Sequence, residues 1–233
     1  MQCETCHAGC CRAYNLFITI PDVLRISNDL GLSPEEFVDI KTYGESEGSS
    51  FVAKCPGILF SDASSEEQRF FITLRRVESL LIPNTIRCIF LNEWERSTPI
   101  EKRGDHPGAK IIARCSVYGS RPKMCGLYPS VLDAAGLLSY IRKPAISTLS
   151  KSNEIYKVCP EDWTAADFTN DAEKIVHDHT IDKYEWRFQA QVIEKWNESP
   201  RTKAEFFPLM KRLYKARTLA TGERWSELFE ETD

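Results

Sequence analysis

No stretch of this chain approaches the roughly 18 consecutive apolar residues of a membrane-spanning helix. Its first residues lack the basic-then-apolar layout of a secretory leader. It has no glycine-rich nucleotide loop, no internal repeat of useful length and no low-complexity tract. It also lacks a strong excess of charge: 30 Lys and Arg stand against 34 Asp and Glu, a formal net charge of −4. Such a balance does not build a surface for nucleic acid or for an anionic bilayer. Neither partner is therefore expected, and the expected location is the cytoplasm.

The chain does not lack cysteine. It has nine, and four of them stand in the opening "MQCETCHAGCC": Cys3, Cys6, Cys10 and Cys11. Disulfides, a catalytic nucleophile and a metal are the three chemistries that use such a cluster. An odd count cannot pair completely, and cytoplasmic thiols stay reduced, so disulfides are disfavoured. With 233 residues, 42% of them hydrophobic, the chain can build a core without such bridges. A nucleophile needs one activated thiol beside a base, and His7 next to Cys6 is the nearest candidate. That role uses one cysteine and leaves the others unexplained.

Short elements are expected around the cluster. "NLFITI" (15–20) reads as a strand. The next helix has Thr19 as its cap, Pro21 in its first turn and Gly31 as its stop. "SPEEFVDI" starts another, with Ser33 as N-cap, Pro34 at the first position and Glu36 completing a capping box. From about residue 51 to 118, "GILF", "RFFITLRRV", "RCIFL" and "KIIARC" read as strands between turns, and "GLLSYIRK" as a further strand. The polar segment 95–110 reads as a loop. From Ala172 to Trp196, the apolar residues Ile181, Tyr184, Phe188, Val192 and Trp196 keep helical spacing. A last helix begins at "FFPLMKR", with Pro208 near its start and Gly222 past its end, followed by a turn carrying Trp225, Leu228 and Phe229. The expected fold class is α+β, a single domain with a cysteine-rich loop and strand core and a helical C-terminal part. The expected division is 1–160 for the cysteine region and 161–233 for a helical extension packed on it.

The other cysteines stand in "KCPGIL" (Cys55), "RCIFLN" (Cys88), "RCSVYGSRPKMCGLYP" (Cys115 and Cys125) and "KVCPEDW" (Cys159). Together the blocks C-x-x-C-x-x-x-C-C, C-x-F-L and C-x-x-Y-x-x-R-P-x-x-C-x-x-Y-P resemble the YkgJ-like cysteine-cluster family. The resemblance covers about residues 3 to 160. Val117 replaces a usual Ile, and Gly126 stands where Arg is common. Members of that family are described as zinc- or iron-chelating proteins, and the resemblance implies metal binding more firmly than any reaction. It implies Cys3, Cys6, Cys10, Cys11, Cys88, Cys115, Cys125 and, less directly, Cys159 as ligands, with Arg121 as a cofactor-binding residue. The cluster is also similar to that of bacterial flagellin lysine methylases. That similarity implies an iron–sulfur possibility and, as an alternative function, an enzyme that modifies another protein.

The chemistry suits the spacing. A Cys-x-x-Cys turn lets two thiolates converge on one ion, and Zn–S bonds are about 2.3 Å long. Cys10 and Cys11 are neighbours whose side chains are expected to diverge, and so to serve different ions or different irons of one cluster. Eight thiolates suffice for two sites of four, and both zinc and iron–sulfur centres are held that way. The role of one or two such centres would be structural, metal-handling or redox. The order differs from the Cys-x3-Cys-x2-Cys of radical-SAM enzymes. Cys55 reads better as a small buried hydrophobe. Arg12, Arg87, Arg114, Arg121 and Lys123 stand near candidate ligands and could offset thiolate charge. His177 and His179 are two apart on a helix, facing different ways, and His106 falls in the polar loop. The basic stretch Lys211, Arg212, Lys215, Arg217 reads as a solvated helix face.

Overall fold

The computed structural model describes residues 8–42, 56–65, 67–95, 111–140 and 172–219. The fold is mixed α+β, as the hydrophobic patterning predicts. In chain order the elements are α1 (Gly9–Ala13), α2 (Ile20–Leu30), α3 (Pro34–Phe37), β1 (Val38–Thr42), β2 (Phe70–Leu74), β3 (Arg76–Glu78), β4 (Ile86–Cys88), β5 (Leu91–Glu95), β6 (Ile111–Cys115), α4 (Lys123–Leu127), β7 (Ser130–Leu132), β8 (Leu138–Tyr140), α5 (Ala172–Glu198) and α6 (Lys203–Leu219). The strands form two-stranded sheets, β1 with β2, β3 with β4, β5 with β6 and β7 with β8. The last three pairs are antiparallel. The chain groups into two compact units, Met1–Leu16 with Leu74–Asp182, and Phe17–Thr73 with Lys183–Asp233.

The second unit has a large aromatic and aliphatic core. Trp196, Phe206, Ile18, Phe37, Ile58, Leu209, Met210 and Leu213 are fully buried. Phe60 and Trp196 meet Phe206 edge-on at 5.6 and 5.1 Å between ring centroids, the arrangement that ring quadrupoles favour. Polar side chains of α5 complete the joints. Gln189 Oε1 accepts the Ile20 N–H at 2.7 Å, Asn197 Oδ1 accepts the Leu59 N–H at 2.9 Å, and Trp196 Nε1 donates to Leu59 O at 2.6 Å. The caps of α2 are those its sequence dictates. Thr19 Oγ1 accepts from Asp22 N, Asp22 accepts from Thr19 N, and Gly31 ends the helix at φ 67°. Ser33 N donates to Glu36 at 2.8 Å ahead of α3.

Several expectations change. "SPEEFVDI" makes one helical turn, α3, and passes at Val38 into β1, and "GILF" makes a single bridge, Ile58 to Phe70. "NLFITI" makes a single bridge, Phe17 to Thr73, and then enters α2, whose capping box starts it at Ile20. The apolar stripe on α5 does not run to Tyr184, which is 57% exposed. The buried face there includes Ile175, Gln189, Val192, Ile193 and Trp196. Pro208 lies inside α6, six residues into the helix. The polar segment 96–110, Gly222, Trp225, Leu228 and Phe229 fall outside the described residues.

The first unit is built from short pieces. Phe90, Leu91, Ile112, Ala113, Val117, Leu127 and Ile175 are buried in it. Its strands are too short to bury much surface alone, since an isolated hairpin is marginal in water. All five described cysteines belong to this unit.

Candidate metal centre

Cys10 and Cys11 lie on α1, directly after an unusual backbone turn. Ala8 has φ 60° and ψ 38°, the left-handed region that side chains other than glycine rarely adopt. Cys11 N donates back to Ala8 O at 3.0 Å, which closes the turn. Cys88 ends β4 and Cys115 ends β6. Cys125 sits in the middle of α4, a one-turn helix started by Pro122 rather than the loop its Gly and Pro neighbours suggest. Four elements thus deliver five partly buried cysteines that are in no disulfide.

The register explains how distant cysteines meet. Leu91 pairs with Cys115 across β5 and β6, and Arg76 pairs with Cys88 across β3 and β4. Ala8, Leu91 and Ala113 form a small core against which Cys11 and Cys88 pack. Two of those three residues are alanines, which leaves room for sulfur beside the backbone.

The thiols act on one another. Cys10 and Cys11 Sγ are 4.0 Å apart, so the expected divergence of the two neighbours is not found. Two sulfurs sharing one tetrahedral ion at 2.3 Å would stand about 3.8 Å apart. The Cys11 pKa is raised by its hydrogen bond with Cys10, by burial, and by the charges of Cys10, Cys125 and Cys88. Burial pushes Cys88 up to about 11, against the backbone hydrogen bond at Phe90, with Cys115 and Cys10 adding to the rise and Arg76 opposing it. Burial likewise raises Cys115, with Cys10 adding to it, while the Val117 backbone and Arg121 work the other way. Each of the five is therefore felt by at least one other. Among the described residues, no three Cys, His, Asp or Glu side chains close around one point within reach of an ion. Cys3, Cys6, Cys55 and Cys159 lie outside the described residues, as do His7 and His106.

The basic neighbours divide into two kinds. Arg121 acts on Cys115, its guanidinium stacks 4.0 Å from the Tyr118 ring centroid, and its Nε lies 3.5 Å from where a Cβ on Gly126 would be. Arg114 instead faces the Trp94 ring at 5.9 Å, and Lys123 reaches Asp178 at 3.6 Å. Two charged neighbours escape sequence reasoning. Arg76 acts on Cys88, and only the β3–β4 register reveals it. Glu93, with a side chain 3% exposed, ion-pairs with both Arg12 and Arg87, and nothing in "FLNEWE" distinguishes it from its neighbour Glu95.

His179 meets a serine rather than a cysteine. Ser130 Oγ donates to the Leu127 carbonyl, which leaves it to accept from His179 Nε2 at 2.9 Å. A serine activated for attack would direct its hydrogen at the imidazole. Burial lowers the His179 pKa, with a hydrogen bond to the Ser130 backbone and the charge of Asp178 opposing it.

Residues 2–160 match the family model CxxCxxCC, described as "Putative zinc- or iron-chelating domain". No match was found among the curated proteins or among the solved structures. The donor set fits such a group, since thiolates suit zinc and iron alike.

Proposed function

We propose, from the premise that this chain belongs to the CxxCxxCC family of zinc- or iron-chelating domains, that it holds one or two thiolate centres, as zinc or as an iron–sulfur cluster. The observation that supports this reading is that Cys10, Cys11, Cys88, Cys115 and Cys125, from four elements, stand near enough to shift one another's pKa values. Burial and mutual repulsion disfavour the thiolate form of these cysteines, and a bound cation would offset that charge and replace their protons. Cys3, Cys6 and Cys159 complete the proposed ligand set, and Arg121 offsets part of its negative charge. A bound ion would tie the first residues of the chain to segments some eighty to one hundred and fifty residues on. Structural zinc sites contribute about 10–16 kcal/mol of apparent binding energy, comparable to the whole stability of a domain. The role is structural, metal-handling or redox, in the cytoplasm.

Elemental analysis of protein purified without oxygen tests the reading. Stoichiometric zinc in colourless protein supports a structural or metal-handling centre, because zinc is d¹⁰ and spectroscopically silent. Iron with visible thiolate-to-iron charge transfer supports a cluster and a redox role. Fully reduced protein that holds neither metal contradicts the proposal.

A further inference from the structure

The side chains between the cysteine-bearing elements form a buried ion triad. Arg12, directly after Cys11, is 0% exposed and ion-pairs with Glu93. Arg87, directly before Cys88, places Nε 3.0 Å from the other Glu93 oxygen. Arg87 Nη1 also donates to the carbonyls of Cys88 and Leu91. Glu93 lies on β5, two residues from Leu91, the register partner of Cys115. Ser79, before the β3–β4 turn, donates to Glu93 Oε2 at 2.7 Å and accepts from the N–H groups of Leu81 and Ile82. One carboxylate thus links the cysteine-bearing α1 and β4, and its own strand β5 pairs with the cysteine-bearing β6.

The triad has one carboxylate for two guanidinium groups, so it buries a surplus positive charge. The Arg12 Nε and Nη1 groups have no hydrogen-bond acceptor among the described residues. A buried ion network is a poor way to gain stability, because desolvation offsets most of its attraction. Such a network is better suited to fixing position.

We propose that Arg12, Glu93 and Arg87 are positioning residues for the thiolate centre. They hold Cys10, Cys11, Cys88 and the strand partner of Cys115 in register before an ion arrives, so that binding does not have to order those segments. The inference rests on the metal-binding reading above. It also makes a prediction opposite to that of simple charge balance. Glu93→Gln adds to the surplus positive charge, which on charge grounds alone should tighten an anionic thiolate site. Positioning requires the reverse.

The test is the Zn²⁺ dissociation constant of the full chain, measured by competition with a chelator under oxygen-free reducing conditions. The thiolate-to-cobalt absorption of the Co²⁺-loaded protein reports the sulfur arrangement. Glu93→Gln is expected to weaken Zn²⁺ binding at least tenfold and to alter the cobalt spectrum. Leu213→Ala, which opens a cavity in the other unit, is expected to lower thermal stability and leave the constant unchanged. Ser79→Ala keeps the triad, removes only its brace, and is expected to weaken binding at least threefold. It decides the matter should Glu93→Gln not fold. Unchanged or tighter binding in the folded variants overturns the inference and leaves the proposed function standing. Wild-type protein that takes up neither Zn²⁺ nor Fe²⁺ overturns both.

Discussion

Replacing Glu93 by glutamine isolates the charge at the centre of the first unit. Glutamine matches glutamate in shape and still offers an oxygen to Ser79. What it removes is, among the described residues, the carboxylate paired with Arg12, fully buried, and with Arg87, whose side chain is 14% exposed. Breaking a buried ion pair by removing one partner costs about 3–5 kcal/mol, because the remaining charge is left in a dry site. A whole domain is stable by only about 5–15 kcal/mol, so this is a large fraction. For a chain of this size each kcal/mol shifts Tm by about 2–4 °C, which gives a loss of roughly 6–20 °C. Thermal denaturation of metal-stripped protein with excess reductant, followed by circular dichroism, measures it without any contribution from a bound ion. A shift under about 2 °C would refute the reasoning, since it would mean that water or rearrangement compensates both guanidinium groups.

Three further outcomes follow from particular contacts. Arg217 grips Glu185 through both guanidinium nitrogens at 2.9 and 3.1 Å and stacks 4.2 Å from Phe188; Arg217→Lys should destabilise by about 1–2 kcal/mol in urea, because lysine keeps the charge and loses the fork and the stacking. The folded-state pKa of His179 is lowered from 6.5, so the unfolded chain takes up the proton first. The stability from this site is therefore fully present above that value and falls as pH drops through the window below it, and His179→Gln should flatten that part of the stability–pH curve. Because their sulfurs are 4.0 Å apart, Cys10→Ser and Cys11→Ser should each lose the same share of bound metal by elemental analysis; unequal losses would restore separate centres.

Local rules made much of the fold legible. Thr19, Pro21 and Gly31 mark α2 because capping is a contest between neighbours in sequence. The helix predicted from Ala172 to Trp196 is α5, whose 27 residues carry their own hydrogen bonds. What failed was tertiary. Tyr184 keeps helical spacing with the core positions yet is exposed, because spacing says which residues share a face and not how far that face is covered. The one-turn helices at Cys10 and Cys125 are below the length at which periodicity gives a signal. The cysteine blocks that mark the family were readable from the sequence. The placement of Arg76 beside Cys88 and of Glu93 between Arg12 and Arg87 was not, because it comes from strand register and from which charge is buried.

The central claim is that sulfur atoms from distant parts of this chain surround a bound ion, and X-ray absorption at the metal edge of natively loaded, oxygen-free protein reads it most directly. The account predicts zinc or iron with a sulfur shell at about 2.3 Å, diminished in Cys88→Ser and Cys115→Ser. A shell of oxygen and nitrogen alone, indifferent to those substitutions, would contradict it.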